Sequence, residues 1–160
     1  QYYLDFDEML NTAFCKDSIC FRKYAESKKF HHVRTQVIPG KNGFFIEYAE
    51  AVKEKDGSIN TLLFVMYNKK EGKSIYVQFG TTNLTVFTNL SNKMGERGFS
   101  FLKQDAMNDD KGELAMSFYY KKGATGIQTT ISMVKTNLGN KELYGFAVKI
   151  PVNEKWPKEY

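Results

Sequence analysis

Two short segments of the chain recur at a nearly constant spacing, and this recurrence constrains the fold more than any other feature. Lys28-Lys29-Phe30 and Arg97-Gly98-Phe99 each close a helix-like stretch, and their phenylalanines stand 69 residues apart, at 30 and 99. Ser74-Ile75-Tyr76 matches Glu142-Leu143-Tyr144 at an offset of 68, from 74 to 142. Self-similarity at a fixed period is the sequence signature of a repeated structural unit. The sequence therefore predicts two copies of one unit.

Hydrophobic spacing predicts the same order of elements in both copies. Apolar residues recur at helical spacing over 4–14 and 18–29 in the first copy. In the second copy, apolar residues at the same spacing predict a helix that Thr82 or Thr85 would cap and that would end at Gly98. Four stretches rich in apolar and aromatic residues follow in each copy, and each indicates a strand.

The fold class expected from this order is α+β. Two tandem α-β-β-β-β repeats, residues 1–81 and 82–151, would form one curved antiparallel sheet of about eight strands with the helices on one face. Residues 152–160 would form a polar tail. The two repeats would be fused into a single structural unit.

A tandem α-β-β-β-β duplication of this size resembles the β-lactamase inhibitor protein family. The paired helix ends at Phe30 and Phe99 and the paired last strands at Ile75-Tyr76 and Leu143-Tyr144 carry the resemblance. The resemblance implies an eight-stranded curved sheet whose concave face grips a partner protein, with a small disulfide loop near each helix. The TATA-binding saddle, also a duplicated curved sheet, is similar at a greater distance.

Aromatic residues are unusually frequent, at 15% of the chain with 13 Phe and 10 Tyr. Some must fill the core, because half of each strand faces the helices, and a one-residue change of register exchanges the two faces. The others would form a binding surface on the open face of the sheet, because tyrosine combines an apolar body with a polar tip. The candidate binding residues are six strand tyrosines and two neighbouring lysines: Tyr48, Tyr67, Tyr76, Tyr119, Tyr120, Tyr144, Lys121 and Lys135.

The chain has two cysteines, Cys15 and Cys20. On one continuous helix they would lie about 140° apart and could not bond. Asp17 and Ser18 between them are both good N-caps, so a helix that starts there would bring the two sulfurs within reach. A disulfide is expected in an oxidising compartment, and two buried thiols are the alternative.

Signals for chemistry are sparse. His31 and His32 are adjacent, and neighbours on a strand point to opposite faces, so they cannot share one site. The sequence contains no phosphate-binding glycine loop, no H-E-x-x-H and no G-x-S-x-G. We expect no catalytic residue, no metal site and no cofactor. A small-molecule-binding or hydrolytic enzyme that uses His31 or His32 is the alternative.

The function expected from these features is that of a secreted or periplasmic non-catalytic module that binds a protein through its concave sheet face. The start at Gln1 rather than Met would follow removal of a signal peptide. No apolar run approaches the roughly 20 residues of a membrane-spanning helix. A saddle-like nucleic-acid-binding domain is the alternative, because the net charge is +5 and aromatic residues are interleaved with lysines. The oligomeric state stays open.

Overall fold

In a computed structural model, the chain forms helices packed on a single antiparallel sheet, which confirms the α+β class. The structure describes residues 5–15, 17–38, 44–53, 55–69, 72–108, 112–136 and 138–157. Within these ranges, it describes only the backbone of residues 37–38, 44–53, 63–69 and 72–74.

The described residues form three helices and eight strands. The helices are α1 (Phe6–Ala13), α2 (Ser18–Ser27) and α3 (Leu84–Glu96). The strands are β1 (His32–Ile38), β2 (Phe44–Lys53), β3 (Ile59–Lys69), β4 (Gly72–Thr81), β5 (Ser100–Asn108), β6 (Leu114–Lys122), β7 (Thr125–Thr136) and β8 (Gly139–Ile150). Their order across the sheet is β1-β2-β3-β4-β8-β7-β6-β5, so β4 and β8 are central and β1 and β5 are the edges.

Aspartate caps begin α1 and α2. The Asp5 carboxylate accepts a hydrogen bond from the Glu8 backbone N–H, and the Glu8 carboxylate accepts one from the Asp5 N–H, which completes a capping box. Asp17 accepts from the backbone N–H of Cys20 at 2.9 Å. Because α2 starts between Cys15 and Cys20, the two cysteines do not lie on one continuous helix. Their Cα atoms lie 5.5 Å apart, and their sulfurs form a disulfide.

Asn83 caps α3, so the sequence-based expectation of a threonine cap is wrong. The Asn83 side chain accepts from the backbone N–H of Val86 at 3.2 Å. The Thr82 hydroxyl instead accepts from the backbone N–H of Ile59 at 3.0 Å and ties the helix entry to β3. Thr85 lies inside the first turn of the helix.

The two helix ends that recur in the sequence have the same backbone geometry. Lys29 and Gly98 both have positive φ, 62° and 84°. The next residue then returns a hydrogen bond to the carbonyl five positions earlier, from Phe30 to Ala25 at 3.0 Å and from Phe99 to Met94 at 3.3 Å. This is the bonding of a Schellman motif, in which a left-handed residue ends the helix.

The second recurrent pair does not occupy equivalent positions. Ile75 and Val77 pack against the helix-side core, and the β8 residues that do so include Phe146 and Val148. Leu143 lies an odd number of residues before Phe146 and Val148, so its side chain points to the opposite face of the sheet. Since side chains alternate between faces, an even offset of 68 places Ile75 and Leu143 on opposite faces. An offset of 69, that of the helix ends, keeps equivalent residues on the same face.

All three helices pack on one face of the sheet. Phe6 of α1 meets Phe146 of β8 edge-to-face at 5.9 Å between ring centroids and Phe99 at 5.7 Å. Phe30, just after α2, meets Phe79 of β4 at 6.4 Å. Full burial of each large apolar side chain contributes about 1.5–3 kcal/mol. The opposite face carries no helix from the described residues, and we call it the open face.

The end of the chain folds back over part of the open face. The Val152 N–H donates to the Ala124 carbonyl at 2.8 Å, and Val152 and Trp156 are each only 6% exposed. A Cβ on Gly126 would come within 2.9 Å of Val152 and 3.0 Å of the Trp156 ring, so a glycine is needed beneath them. Residues 152–157 therefore belong to the packed domain, whereas 158–160 of the expected polar tail lie outside the described residues. Among the helices described, none has the length and apolar character needed to cross a membrane.

Candidate functional site on the open face

One row of residues crosses the middle of the sheet on the open face. Direct partners in adjacent strands share a face, so the register defines the row without further assumption. The row takes one residue from each strand, in the order Lys103, Tyr119, Gln128, Ala147, Gln78, Leu63, Tyr48 and Arg34. We call these residues the open-face row. The side chains of Leu63 and Tyr48 lie outside the described part of the structure.

Tyr119 is held rigidly within this row. Its ring meets Trp156 edge-to-face at 5.5 Å between centroids, and Tyr119 is only 8% exposed. Gln128 Nε2 donates to the Tyr119 hydroxyl at 3.3 Å and to Ser117 Oγ at 3.2 Å. The Lys103 ammonium lies 5.6 Å from the Tyr119 ring centroid, within the range of a cation–π interaction.

A cavity of about 180 Å³ opens beside Tyr119. It is lined by Tyr76, Tyr119, Gln128, Ala147, Lys149, Trp156 and Pro157. Small-molecule and cofactor sites usually occupy roughly 300–1,000 Å³, so this cavity is small for such a ligand. Its size suits one side chain of a larger partner.

The cavity offers apolar walls together with a few fixed polar groups. Both hydrogen bonds of the Gln128 amide come from Nε2, so its Oε1 remains an acceptor with respect to the described residues. The Tyr76 hydroxyl donates to Gln78 Oε1 at 3.4 Å, which ties the two residues together. Lys149 is the direct cross-strand partner of Tyr76 and adds a positive charge. The site can therefore bind an apolar group that carries a donor or a negative charge.

A row of two glycines and two threonines lies beside the open-face row. Thr61, Gly80, Gly145 and Thr130 are consecutive cross-strand partners on the four central strands. A Cβ on Gly80 would lie 2.7 Å from Thr61 Oγ1, and one on Gly145 would overlap Thr130 Oγ1. Each threonine thus leans over a glycine, and neither glycine can gain a side chain without displacing its neighbour.

The predicted binding tyrosines do not share one face. Tyr76 and Tyr119 line the cavity on the open face. Tyr120 instead packs against the helix-side core, with its ring 5.6 Å from that of Phe101. The expectation that Tyr120 joins Tyr119 on a single surface is therefore wrong, because adjacent strand residues point to opposite faces.

Tyr144 also lies on the helix side. Its ring stacks on Phe87 of α3 at 4.9 Å between centroids. Its hydroxyl donates to Glu142 Oε2 at 2.6 Å. Burial, and then the hydrogen bond and the negative charge of Glu142, raise the pKa of Tyr144 to about 12. Tyr144 thus joins the packing of α3 and does not contribute to the open face.

The remaining predicted residues are separate from the cavity or lie partly outside the description. Lys121 is on the open face, where its ammonium donates to the Asn153 carbonyl at 3.1 Å and anchors the C-terminal segment. Lys135 is exposed near the end of β7. It lies an even number of residues after Ile127, so its position is on the helix side of the sheet. Tyr67 lies an even number of residues after Leu63 of the open-face row on β3. The side chains of Tyr67 and Tyr48 lie outside the described part of the structure.

The two histidines lie at the edge of the sheet and do not line the cavity. His31 and His32 are both exposed at the start of β1. His32 Nε2 is 2.8 Å from Thr35 Oγ1, and Arg22 Nη2 is 3.5 Å from the same hydroxyl. In the ranges that the structure describes, no group of three or more His, Cys, Asp or Glu side chains could hold a metal ion.

Sequence reasoning missed the residues that complete the cavity, namely Gln128, Ala147, Lys149, Trp156 and Pro157. Trp156 is the best sequence signal for this cavity. It is the only tryptophan of the chain, and a large aromatic side chain is typical of a packed segment and not of a free tail. Its target on β6 and β7 is a long-range contact that no local pattern encodes. Gln128 and Lys149 alternate with the buried residues Ile127 and Val148, which places them on the open face once the register is known.

Comparisons of the chain with protein-family models, with curated proteins and with solved structures found no match. The geometry of the open face is therefore the basis on which a function can be inferred.

Proposed function

We propose that this protein is a non-catalytic binding module that recognises a partner protein through its open face. The cavity between Tyr76 and Trp156 is the observation that carries the proposal. Protein interfaces concentrate aromatic residues at their centre, and their strongest contacts seat one side chain in a well-packed pocket. The aromatic walls, the Gln128 acceptor and the Lys149 charge match such a centre.

The rigidity of this surface supports binding. Trp156, Gln128 and Lys103 hold Tyr119 from three directions before any partner arrives. A preorganised surface loses little conformational entropy on association, which improves affinity without new contacts. The small volume of the cavity favours a side chain of a protein over a free cofactor-sized ligand.

We further infer that the chain is a tandem duplication whose two halves are joined through β4 and β8. Helices followed by four sequential strands occur in both halves. The helix ends at Lys29 and Gly98 share their geometry. The first strand pair after each contains a bulge, between His32 and Arg34 in one half and between Phe101 and Lys103 in the other. A curved duplicated sheet like that of the β-lactamase inhibitor proteins is the corresponding proposal for the overall shape.

The Cys15–Cys20 disulfide supports a secreted or periplasmic location, because disulfides persist in oxidising compartments.

Binding of nucleic acid is the weaker candidate. Three lysines, Lys103, Lys121 and Lys149, lie on the open face near tyrosines. Lys103 is paired with Asp105 at 2.7 Å, and Lys121 is bonded to a backbone carbonyl, so both charges are already engaged. A groove that follows a phosphate backbone would leave its cations facing the strand.

The proposal is tested by affinity capture from the extracellular or envelope fraction. Lys149→Glu reverses a charge at the cavity, and Lys23→Glu makes the same change at an exposed position of α2. We expect the wild-type protein and Lys23→Glu to retain the same partner, and Lys149→Glu to retain at least about tenfold less, because a like-charge or unpaired contact at an interface centre costs roughly 2 kcal/mol.

A wild-type protein that retains nothing specific, or a partner that Lys149→Glu retains equally well, would contradict the proposal. Binding of single- or double-stranded DNA that weakens steeply with salt would instead favour the nucleic-acid alternative.

A further inference from the structure

The edge strand β5 is exposed along its whole length. It pairs with β6 on one side, and no described strand lies on its other side. Seven of its nine residues are exposed and two are half-buried. Phe101, Leu102 and Met107 are 56%, 43% and 44% exposed, which is a large apolar area for a sheet edge. An edge of this kind is a template for pairing with another strand.

The central residues of β5 are complementary to themselves when the strand is paired antiparallel about its midpoint. The strand runs from Ser100 to Asn108, so Gln104 is its central residue. A second copy related by a two-fold axis at Gln104 would place Lys103 opposite Asp105, Asp105 opposite Lys103 and Gln104 opposite itself. The bulge between Phe101 and Lys103 changes the faces on which Ser100 and Phe101 lie, so the matched pairs are those of the central residues.

The charges select this register over its neighbours. Lys103 and Asp105 both lie on the open face, opposite Tyr119 and Ser117 of β6. A shift of the axis to Lys103 or to Asp105 sets that charge against its own copy, which destabilises a sheet. Within one molecule the Lys103 ammonium and the Asp105 carboxylate are 2.7 Å apart, so the edge carries no net charge at its centre to repel a second copy.

We propose that two copies of this chain associate through their β5 strands, antiparallel and centred on Gln104, into a dimer with one continuous sheet. A two-fold axis perpendicular to the sheet keeps both open faces on the same side, so the dimer presents two cavities in parallel. The bulge between Phe101 and Lys103 lies toward one end of the strand and leaves the central residues free to pair. The other edge offers no equivalent pairing, because centring β1 on Thr35 sets Arg34 against Gln36 and forms no ion pair.

Charge reversal tests this register by sedimentation equilibrium, with protein from about 5 µM to about 1 mM. Lys103→Asp alone sets a second carboxylate opposite Asp105 of the other copy, and Asp105→Lys alone sets two ammonium groups opposite each other. Each variant should dimerise at least about tenfold more weakly than the wild type, because each dimer holds two such pairs. Both positions are partly exposed, and circular dichroism should show that the fold is kept.

Mixing gives the diagnostic result. An equimolar mixture of Lys103→Asp and Asp105→Lys restores opposite-charge pairs between the two copies and should form a heterodimer, although neither variant dimerises well alone. The double variant with the two charges exchanged should dimerise like the wild type, as should Lys23→Asp on α2. A wild type that stays monomeric over the whole range, single variants that dimerise like it, or a mixture that does not associate would each overturn the proposal.

Discussion

At the scale of single residues, the clearest feature is Lys29. Lys29 ends α2 with a φ of 62°. At the end of α3, Gly98 has the same left-handed conformation, with a φ of 84°. A side chain in this left-handed region costs roughly 1–2 kcal/mol, whereas glycine adopts it freely but loses more entropy on folding. The backbone conformation at position 29 thus favours glycine, but the sequence has lysine there.

Replacement of Lys29 by glycine should therefore stabilise the protein. We expect Lys29→Gly to raise the free energy of unfolding by about 0.5–1 kcal/mol, measured by urea denaturation. Gly98→Ala is the matched control and should lower it by a similar amount, because it places a Cβ in the same conformation. A Lys29→Gly protein that unfolds at the same or a lower urea concentration than the wild type would show that the Lys29 side chain outweighs its backbone strain.

At the scale of elements, α1 is fastened to both other helices by ion pairs. Asp7 accepts from Arg97, just after α3, at 2.6 and 3.0 Å, and Glu8 accepts from Lys28, just after α2, at 2.7 Å. The hydrogen bond from Arg97 lowers the pKa of Asp7. Burial acts to raise the pKa of Glu8, but the bonds from Lys28 and from the Asp5 backbone outweigh it and leave that pKa lowered.

These lowered pKa values give the ion pairs a defined dependence on pH. A carboxylate whose pKa is lower in the folded state stabilises it above the unfolded pKa, and this contribution is lost as pH falls through the folded pKa. For Glu8 the loss begins near the ordinary value of 4.5 and is complete only at lower pH. We expect a double-mutant cycle with Glu8→Gln and Lys28→Gln to give a coupling of roughly 0.2–1 kcal/mol at neutral pH that disappears near pH 2. An equal coupling at both pH values would show that the contact is not ionic.

The elements also show where sequence patterns are informative. Apolar periodicity places all four ends of α1 and α2 within two residues, because their buried faces are continuous. The pattern is least informative for the edge strand β5, which extends from Ser100 to Asn108. Beyond Lys103 the alternation disappears from the sequence, because an edge strand exposes side chains on both faces and needs no apolar residues there. The sequence alone does not place the cap of α3, because Thr82, Asn83 and Thr85 are all suitable capping residues. The bond of Thr82 with β3 and that of Asn83 with Val86 decide between them.

At the scale of the whole molecule, the class and the sequential strand pairing follow from the pattern, but the composition of the open face does not. Assigning each tyrosine to a face needs the strand register, and one residue of error moves Tyr119 into the core and Tyr120 out of it. The position of Trp156 depends on a turn after β8 that returns the chain across three strands. Such long-range packing leaves no periodic signal in the sequence.

In the proposed function, the open face around Trp156 is the surface that binds a partner protein. Trp156 is the only tryptophan of the chain, so incorporation of 5-fluorotryptophan gives one ¹⁹F NMR signal from the wall of the cavity. The measurement is a titration of the labelled protein with the partner that the wild type retains and Lys149→Glu does not. We predict that the Trp156 signal shifts or broadens and saturates together with binding. Saturable binding that leaves this signal unchanged would place the interface elsewhere and contradict the proposed function.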